Sequence, residues 1–148
     1  WLPVHVMLAL LGNGFFALAF FLSIMYVIQE RYLKKRKLKG LFFILPSLEA
    51  LDEINYRCLQ YGFPLLTLAI ITGAVWSEYA VGSYWDWKPR QIWSLITWFL
   101  YAALLHGRLT SGWRGKKAAM LSGAAFMVLI GSFFILNLLL GGAHGLLR

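Results

Sequence analysis

The sequence predicts an all-α polytopic membrane protein: about four transmembrane helices, an amphipathic inner-surface helix and an outward Trp-rich segment. Three observations predict it. Of 148 residues, 60% are hydrophobic and 14% charged, with a mean hydropathy of +0.67, values that soluble domains seldom reach. Apolar runs long enough to cross a bilayer alternate with two short basic stretches. Residues 76–98 (WSEYAVGSYWDWKPRQIWSLITW) hold five Trp, two Tyr and four charged residues between two of those runs. Asp86, Lys88 and Arg90 together do not suit a lipid-facing helix, and Pro89 interrupts helical pairing beside them, so this segment belongs at an interface.

Charge and cysteine content narrow the function classes. The net charge of +8 resides in clusters between apolar segments, the pattern of a topology signal, and nucleic acid is not an expected partner. A single cysteine, Cys58, allows no intrachain disulfide. There is no C-x-x-C-H motif, so the chain does not attach haem c to itself. It opens on Trp1 inside an apolar run with no signal-peptide charged region, which suggests part of a longer polypeptide.

Residues 4–29 form the first span and carry no formal charge outside His5. Gly12 and Gly14 suit close helix contact, and Asn13 beside them is expected to make an interhelical hydrogen bond. Residues 30–39 (ERYLKKRKLK) hold six Lys or Arg and mark the cytoplasmic side, where they also attract anionic membrane lipids. After Pro46, Ser47 is an N-cap, and Glu49, Asp52 and Glu53 sit where the helix dipole favours acids. Leu48, Leu51, Ile54, Cys58 and Leu59 make an apolar stripe, so residues 41–61 read as an inner-surface amphipathic helix leading into the next span. Cys58 on that stripe is packing.

The second span, residues 62–80, runs outward with Pro64 able to kink it and Thr67 and Thr72 able to bond freed carbonyls. The third, residues 92–109, returns inward to a second basic loop of Arg108, Arg114, Lys116 and Lys117. The fourth, residues 118–140, runs outward to Gly141-Gly142-Ala143-His144. Both basic loops then share one side, and His5, the Trp-rich segment and His144 share the other.

Five Trp in 23 residues exceed what interfacial anchoring needs and read as a flat aromatic platform for a large planar ligand. His5 and His144 lie at that same membrane level. Two imidazoles on opposite sides of a platform suit bis-histidine ligation of haem iron. His106 is different. It lies about 20 Å along a helix from Trp93, deep toward the inner face, where an ionisable group is a functional candidate. No other histidine shares its depth, so a second ligand to a metal there must come from elsewhere. Lys88 and Arg90 can pair with carboxylates such as haem propionates, or equally with Asp86 or Glu78.

The run WSEYAVGSYWDWKPRQIWSLITWFLYAALLHGRL, with WLPVHV before it and GGAHGLL after it, resembles the haem-handling family that carries the Trp-rich WWD domain. That family includes CcsA, CcmF and CcmC of cytochrome c maturation. LEALDEINYRCLQYGFPLLTLAIITGAVW and the GWRGKKAA loop look like the CcsA type of System II. The likeness covers nearly all of residues 1–148, read as one membrane domain from the C-terminal part of a longer protein, with residues 76–98 as its WWD-like haem-binding segment. It implies a subunit of a holocytochrome c synthase that delivers haem b and joins it to an apocytochrome c bearing C-x-x-C-H. It assigns the outer, catalytic iron ligands to His5 and His144. It assigns a transmembrane iron ligand to His106, in LHGR, paired with a histidine of a CcsB (ResB)-like membrane subunit. The platform implied is Trp76, Trp85, Trp87 and Trp93, with Asp86, Lys88 and Arg90 as polar contacts. The implied setting is a bacterial inner membrane with the active face outward, ahead of a plastid thylakoid. One departure stands out: relatives read W-x-W-D-P-K-E where this chain has Trp85-Asp86-Trp87-Lys88-Pro89-Arg90-Gln91.

Three other readings compete. A membrane b-type cytochrome would want paired histidines at matched depth, and His106 has no mate. A haem-free assembly scaffold of the HemX-like kind would use the fold only to hold partners. A transporter would need an intramembrane acid for proton coupling, and none is evident.

Overall fold

Ser47, Pro89 and four glycines at positive φ punctuate the chain into five helices in the computed structural model. Residues 2–36 and 40–146 are described, apart from the side chains of 41, 42 and 140–146. The helices are α1 (Leu2–Lys34), α2 (Leu41–Ile44), α3 (Leu48–Val81), α4 (Pro89–Thr110) and α5 (Lys116–Leu146). Four of them are long and apolar enough to cross a membrane, and the described residues contain no strand. This is an all-α polytopic membrane protein.

The inner-surface helix and the second span are one helix. Ser47 caps its start as expected: its backbone is extended, and its Oγ accepts from the Ala50 N–H at 3.2 Å. No break follows at residue 62. α3 runs for 34 residues, about 50 Å at 1.5 Å per residue, well beyond a hydrocarbon core of about 30 Å. Its polar first turns therefore project past the apolar layer, as do the last turns of α1. Pro64 leaves the Gln60 carbonyl without its helical donor, and the helix carries on. Thr67 Oγ1 bonds instead to Phe63 O at 3.0 Å, while Thr72 Oγ1 reaches Leu68 O at 2.8 Å.

α1 packs chiefly along α3 and also against α5, and α4 packs against both α5 and α3, closing a four-helix ring. Large rings fill its centre. Phe16 of α1 and Tyr101 of α4 are essentially inaccessible and stack at 3.8 Å with planes 11° apart. Leu51, Cys58 and Leu59 of α3 join that core, so the stripe and the packing role of Cys58 are as the sequence indicated. Gly12 does meet α3 closely, since a Cβ there would stand 3.2 Å from Leu66 N; Gly14 has no such neighbour. Asn13 faces outward, and its side chain forms no hydrogen bond among the described residues, contrary to expectation. The interhelical amide is Asn55. Its buried Nδ2 donates toward Ala19 O at 2.9 Å, Ser23 Oγ at 3.1 Å and Ser122 Oγ at 3.3 Å, joining α1, α3 and α5.

The basic end is held by ion pairs. Glu30 meets Lys34 at 3.2 Å and Lys116 of α5 at 3.6 Å. Arg108 is not a loop cation as the sequence suggested. It sits in the last turn of α4, its side chain 3% exposed, and pairs with Asp52 at 3.0 Å. Asp52 Oδ1 also accepts from Gly115 N at 3.1 Å, and the Arg108 guanidinium lies over Tyr56. Gly107 leaves room for the Trp113 ring, which no side chain at 107 would permit, and this folds the 111–115 turn back on α4. Lys37 and Lys39 of the first basic stretch lie outside the described residues.

Candidate functional site

At the opposite end, residues 82–88 of the Trp-rich segment form a short loop held at both ends by side-chain hydrogen bonds, while the rest of the segment is helical. α3 stops at Gly82, in the left-handed conformation (φ 80°), whose N–H returns to Glu78 O at 2.9 Å. Ser77 Oγ donates to Ser83 O at 2.8 Å, and Ser83 Oγ to Trp85 O at 3.0 Å. On the far side, Asp86 N donates to Gln91 Oε1 at 3.0 Å, and Pro89 opens α4 at its first turn. Gln91 thus supplies an acceptor that shapes the loop. Between these ties Trp87 adopts φ 56°, a left-handed backbone uncommon for a bulky residue.

The aromatic surface is not flat. Trp85 and Trp87 meet edge to face, 5.6 Å apart with planes at 85°, the arrangement their ring quadrupoles favour. Trp87 is 67% exposed while Trp85 is half-buried. Trp76 is exposed at the end of α3 and Trp93 half-buried on α4. Trp98 leaves the group altogether. It lies about 13 Å into α4, stacks obliquely on Phe63 and donates Nε1 to Thr67 Oγ1 at 2.9 Å, so it joins α4 to α3.

Polar groups at the loop divide in two. Lys88 Nζ pairs with Asp86 Oδ2 at 2.9 Å, whereas the exposed Arg90 side chain forms no ion pair among the described residues. Trp85 Nε1 and Asp86 Oδ1 are buried without a partner. Neither atom is accessible, so they are unmet polar groups beneath the exposed indole rings.

His5 is on the first turns of α1 and lies against α3. Its Nδ1 is 2.6 Å from Ala69 O. A carbonyl only accepts, so Nδ1 carries the proton, and Nε2 is the nitrogen left to hold a lone pair for a ligand. Trp76 follows Gly73, the residue under the ring, by three positions, about 4.5 Å along α3 and on a neighbouring part of its surface. His144 falls within α5, and its side chain is outside the described residues. His106 is exposed on the outer face of α4, its side chain unbonded among the described residues, two residues and so about 200° from the inward Arg108. His5 and the Trp loop thus gather at one end, and His106 stands apart from them.

A cavity of about 1000 Å³ lies at the other, basic end, between Tyr26, Ser47, Asp52, Tyr56, Arg108 and Trp113. It surrounds the Asp52–Arg108 pair and is distant in sequence from the Trp loop. Ser77 and Gly73 were not singled out from sequence, and Gln91 only as a departure from the relatives' motif. Ser and Gln in a Trp-rich loop carry no spacing that marks a cap, and a helical glycine carries none that marks what it faces.

Residues 1–144 match the family described as cytochrome C assembly protein. The chain is 38% identical to cytochrome c biogenesis protein CcsA of Guillardia theta over 159 residues, 97% of this chain and 53% of that one. Against CcsA of Chlamydomonas reinhardtii it is 38% identical over 144 residues, covering 97% and 40%. Against CcsA of Microcystis aeruginosa it is 51% identical over 96 residues, covering 65% and 29%. The chain spans about half the length, or less, of these curated relatives.

Proposed function

This chain belongs to the cytochrome c assembly protein family, and from that premise we propose that it acts in cytochrome c biogenesis, presenting haem b for attachment to apocytochrome c. The Trp-rich end is the working face, turned outward from a bacterial cytoplasmic membrane. Residues 76–98 are its haem-binding segment, within one membrane domain over residues 1–148.

One contact supports this reading above the rest. The Nδ1–H of His5 is engaged by a backbone carbonyl, the arrangement that orients metal-ligating histidines and leaves the other nitrogen for the metal. The exposed Trp76 and Trp87 rings fit an apolar macrocycle. Haem as substrate supplies the iron and the vinyl groups to which the thiols of C-x-x-C-H add. This chain's residues bind and orient. His5 and His144 would hold the iron; Trp76, Trp85, Trp87 and Trp93 would exclude water from the macrocycle; Lys88 and Arg90, the latter without an ion pair among the described residues, would meet the carboxylates. Catalysis is mainly positioning. His106, outward on α4, serves a second haem position whose other ligand comes from a CcsB (ResB)-like membrane subunit.

The test is haem content of the intact membrane complex, purified in detergent and measured by pyridine haemochrome and reduced-minus-oxidised spectra. His5→Gly and His144→Gly should each lower the b-type signal, and added imidazole should restore it. Full haem content in both variants would overturn the assignment.

A further inference from the structure

We infer that Gly73 is a positioning residue for His5: the missing side chain forms the seat that holds the imidazole against α3, and this rests on the haem reading above. A Cβ built on Gly73 would stand 2.8 Å from His5 Cε1, 2.9 Å from Nδ1 and 3.5 Å from Nε2. All three nearest atoms belong to that one ring. The gap therefore does not serve close approach of two backbones, the usual reason for glycine between membrane helices. It admits an imidazole.

Four residues earlier, on the same face of α3, the Ala69 carbonyl takes the ring's Nδ1–H at 2.6 Å. Thr72 Oγ1, whose shorter bond is to Leu68 O at 2.8 Å, also lies 3.1 Å from the Ala69 oxygen. Seat and acceptor together set which nitrogen is protonated and where the ring lies. Only Nε2 is left to offer. Any side chain at 73 reaches the ring inside van der Waals contact. The ring is the movable partner, so it swings off and the Nδ1–H bond to Ala69 breaks.

Gly73→Ala separates this role from a structural one, because Ala is the better helix former and makes no other collision among the described residues. In the complete complex, it should reduce haem retention about 10-fold, the scale seen when a ligating histidine loses its outer partner. Exogenous imidazole should rescue it, and thermal unfolding of the haem-free complex should stay at or above wild type. Adding Gly73→Ala to His5→Gly should change nothing more, since the glycine acts only through the ring. In haem-free protein with 15N-labelled histidine, the His5 ring should report the Nδ1–H tautomer, lost in Gly73→Ala.

Wild-type haem content in Gly73→Ala, with His5→Gly depleted, would overturn the seat. So would an additive loss in the double variant. If His5→Gly keeps its haem while Gly73→Ala still shifts the His5 tautomer, the seat stands and the haem reading falls.

Discussion

Asn55 shows how much a single polar side chain can hold in an apolar bundle. It is 3% exposed, and its one amide nitrogen faces acceptors on two other helices and a serine of each. Ser23 Oγ also bonds Ala19 O at 2.8 Å, so the cluster is shared. Replacing Asn55 with Ala removes the common donor and should destabilise the bundle by about 1–2 kcal/mol, the upper part of the range for membrane hydrogen bonds. Unfolding of the variant in mixed detergent would measure it, and an unchanged midpoint would show that the cluster is stabilised by water or packing instead. Sequence pointed to the wrong asparagine. Asn13 sits between two glycines, a pattern that marks a helix interface, yet only Gly12 of the three turns inward. Asn55 lies among the apolar residues of the α3 stripe, where hydrophobic periodicity has no symbol for a buried amide. His5 was legible by its place at a span's end, but its tautomer was not, since that depends on a carbonyl 64 residues away.

At the scale of elements, each end of the bundle depends on a different device. Asp52–Arg108 joins the start of α3 to the end of α4 and, through Gly115 N, to the turn before α5. Asp52→Ala would leave a nearly inaccessible guanidinium uncompensated and should cost about 3 kcal/mol. In a double-mutant cycle with Arg108→Leu, the combined loss should fall short of the sum by about 1–3 kcal/mol; additive losses would mean that the two residues act separately. The Trp loop relies on hydrogen bonds between neutral groups. Gln91→Leu removes the acceptor of the Asp86 N–H and should speed amide exchange there, whereas Gln91→Glu keeps an acceptor and should keep protection. Equal protection in both variants would show that the loop is held elsewhere. Span number and the Ser47 cap were readable because length, hydropathy and capping are local properties. The amphipathic segment also reads as running into the next span, and α3 does so, with packing along α1 carrying the helix through Gly62 and Pro64. The flat platform failed because composition counts rings but not the angle between them.

For the whole molecule, the outer surface carries the functional consequence. Large apolar side chains are exposed around the ring, among them Leu10, Phe21, Phe99 and Phe133, as expected for helices that meet lipid or further helices. Charges concentrate at one end, where Arg31, Lys34, Lys35 and Arg36 approach Arg114, Lys116 and Lys117, while the Trp loop closes the other. Short basic connections tend to remain on the cytoplasmic side, so this asymmetry predicts the proposed orientation, with the Trp loop outward. Cys58 makes the orientation measurable. It is the chain's single cysteine and 4% exposed, so its replacement with Ala yields a cysteine-free background at small cost. Single cysteines placed at Tyr84 in the Trp loop and at Ser111 in the α4–α5 turn then report opposite faces. In intact spheroplasts a membrane-impermeant maleimide should label the first and spare the second, with the second labelled only after permeabilisation. The reverse pattern would put the Trp loop inside, away from apocytochrome delivered to the outer face, and the proposed attachment role would fall with it.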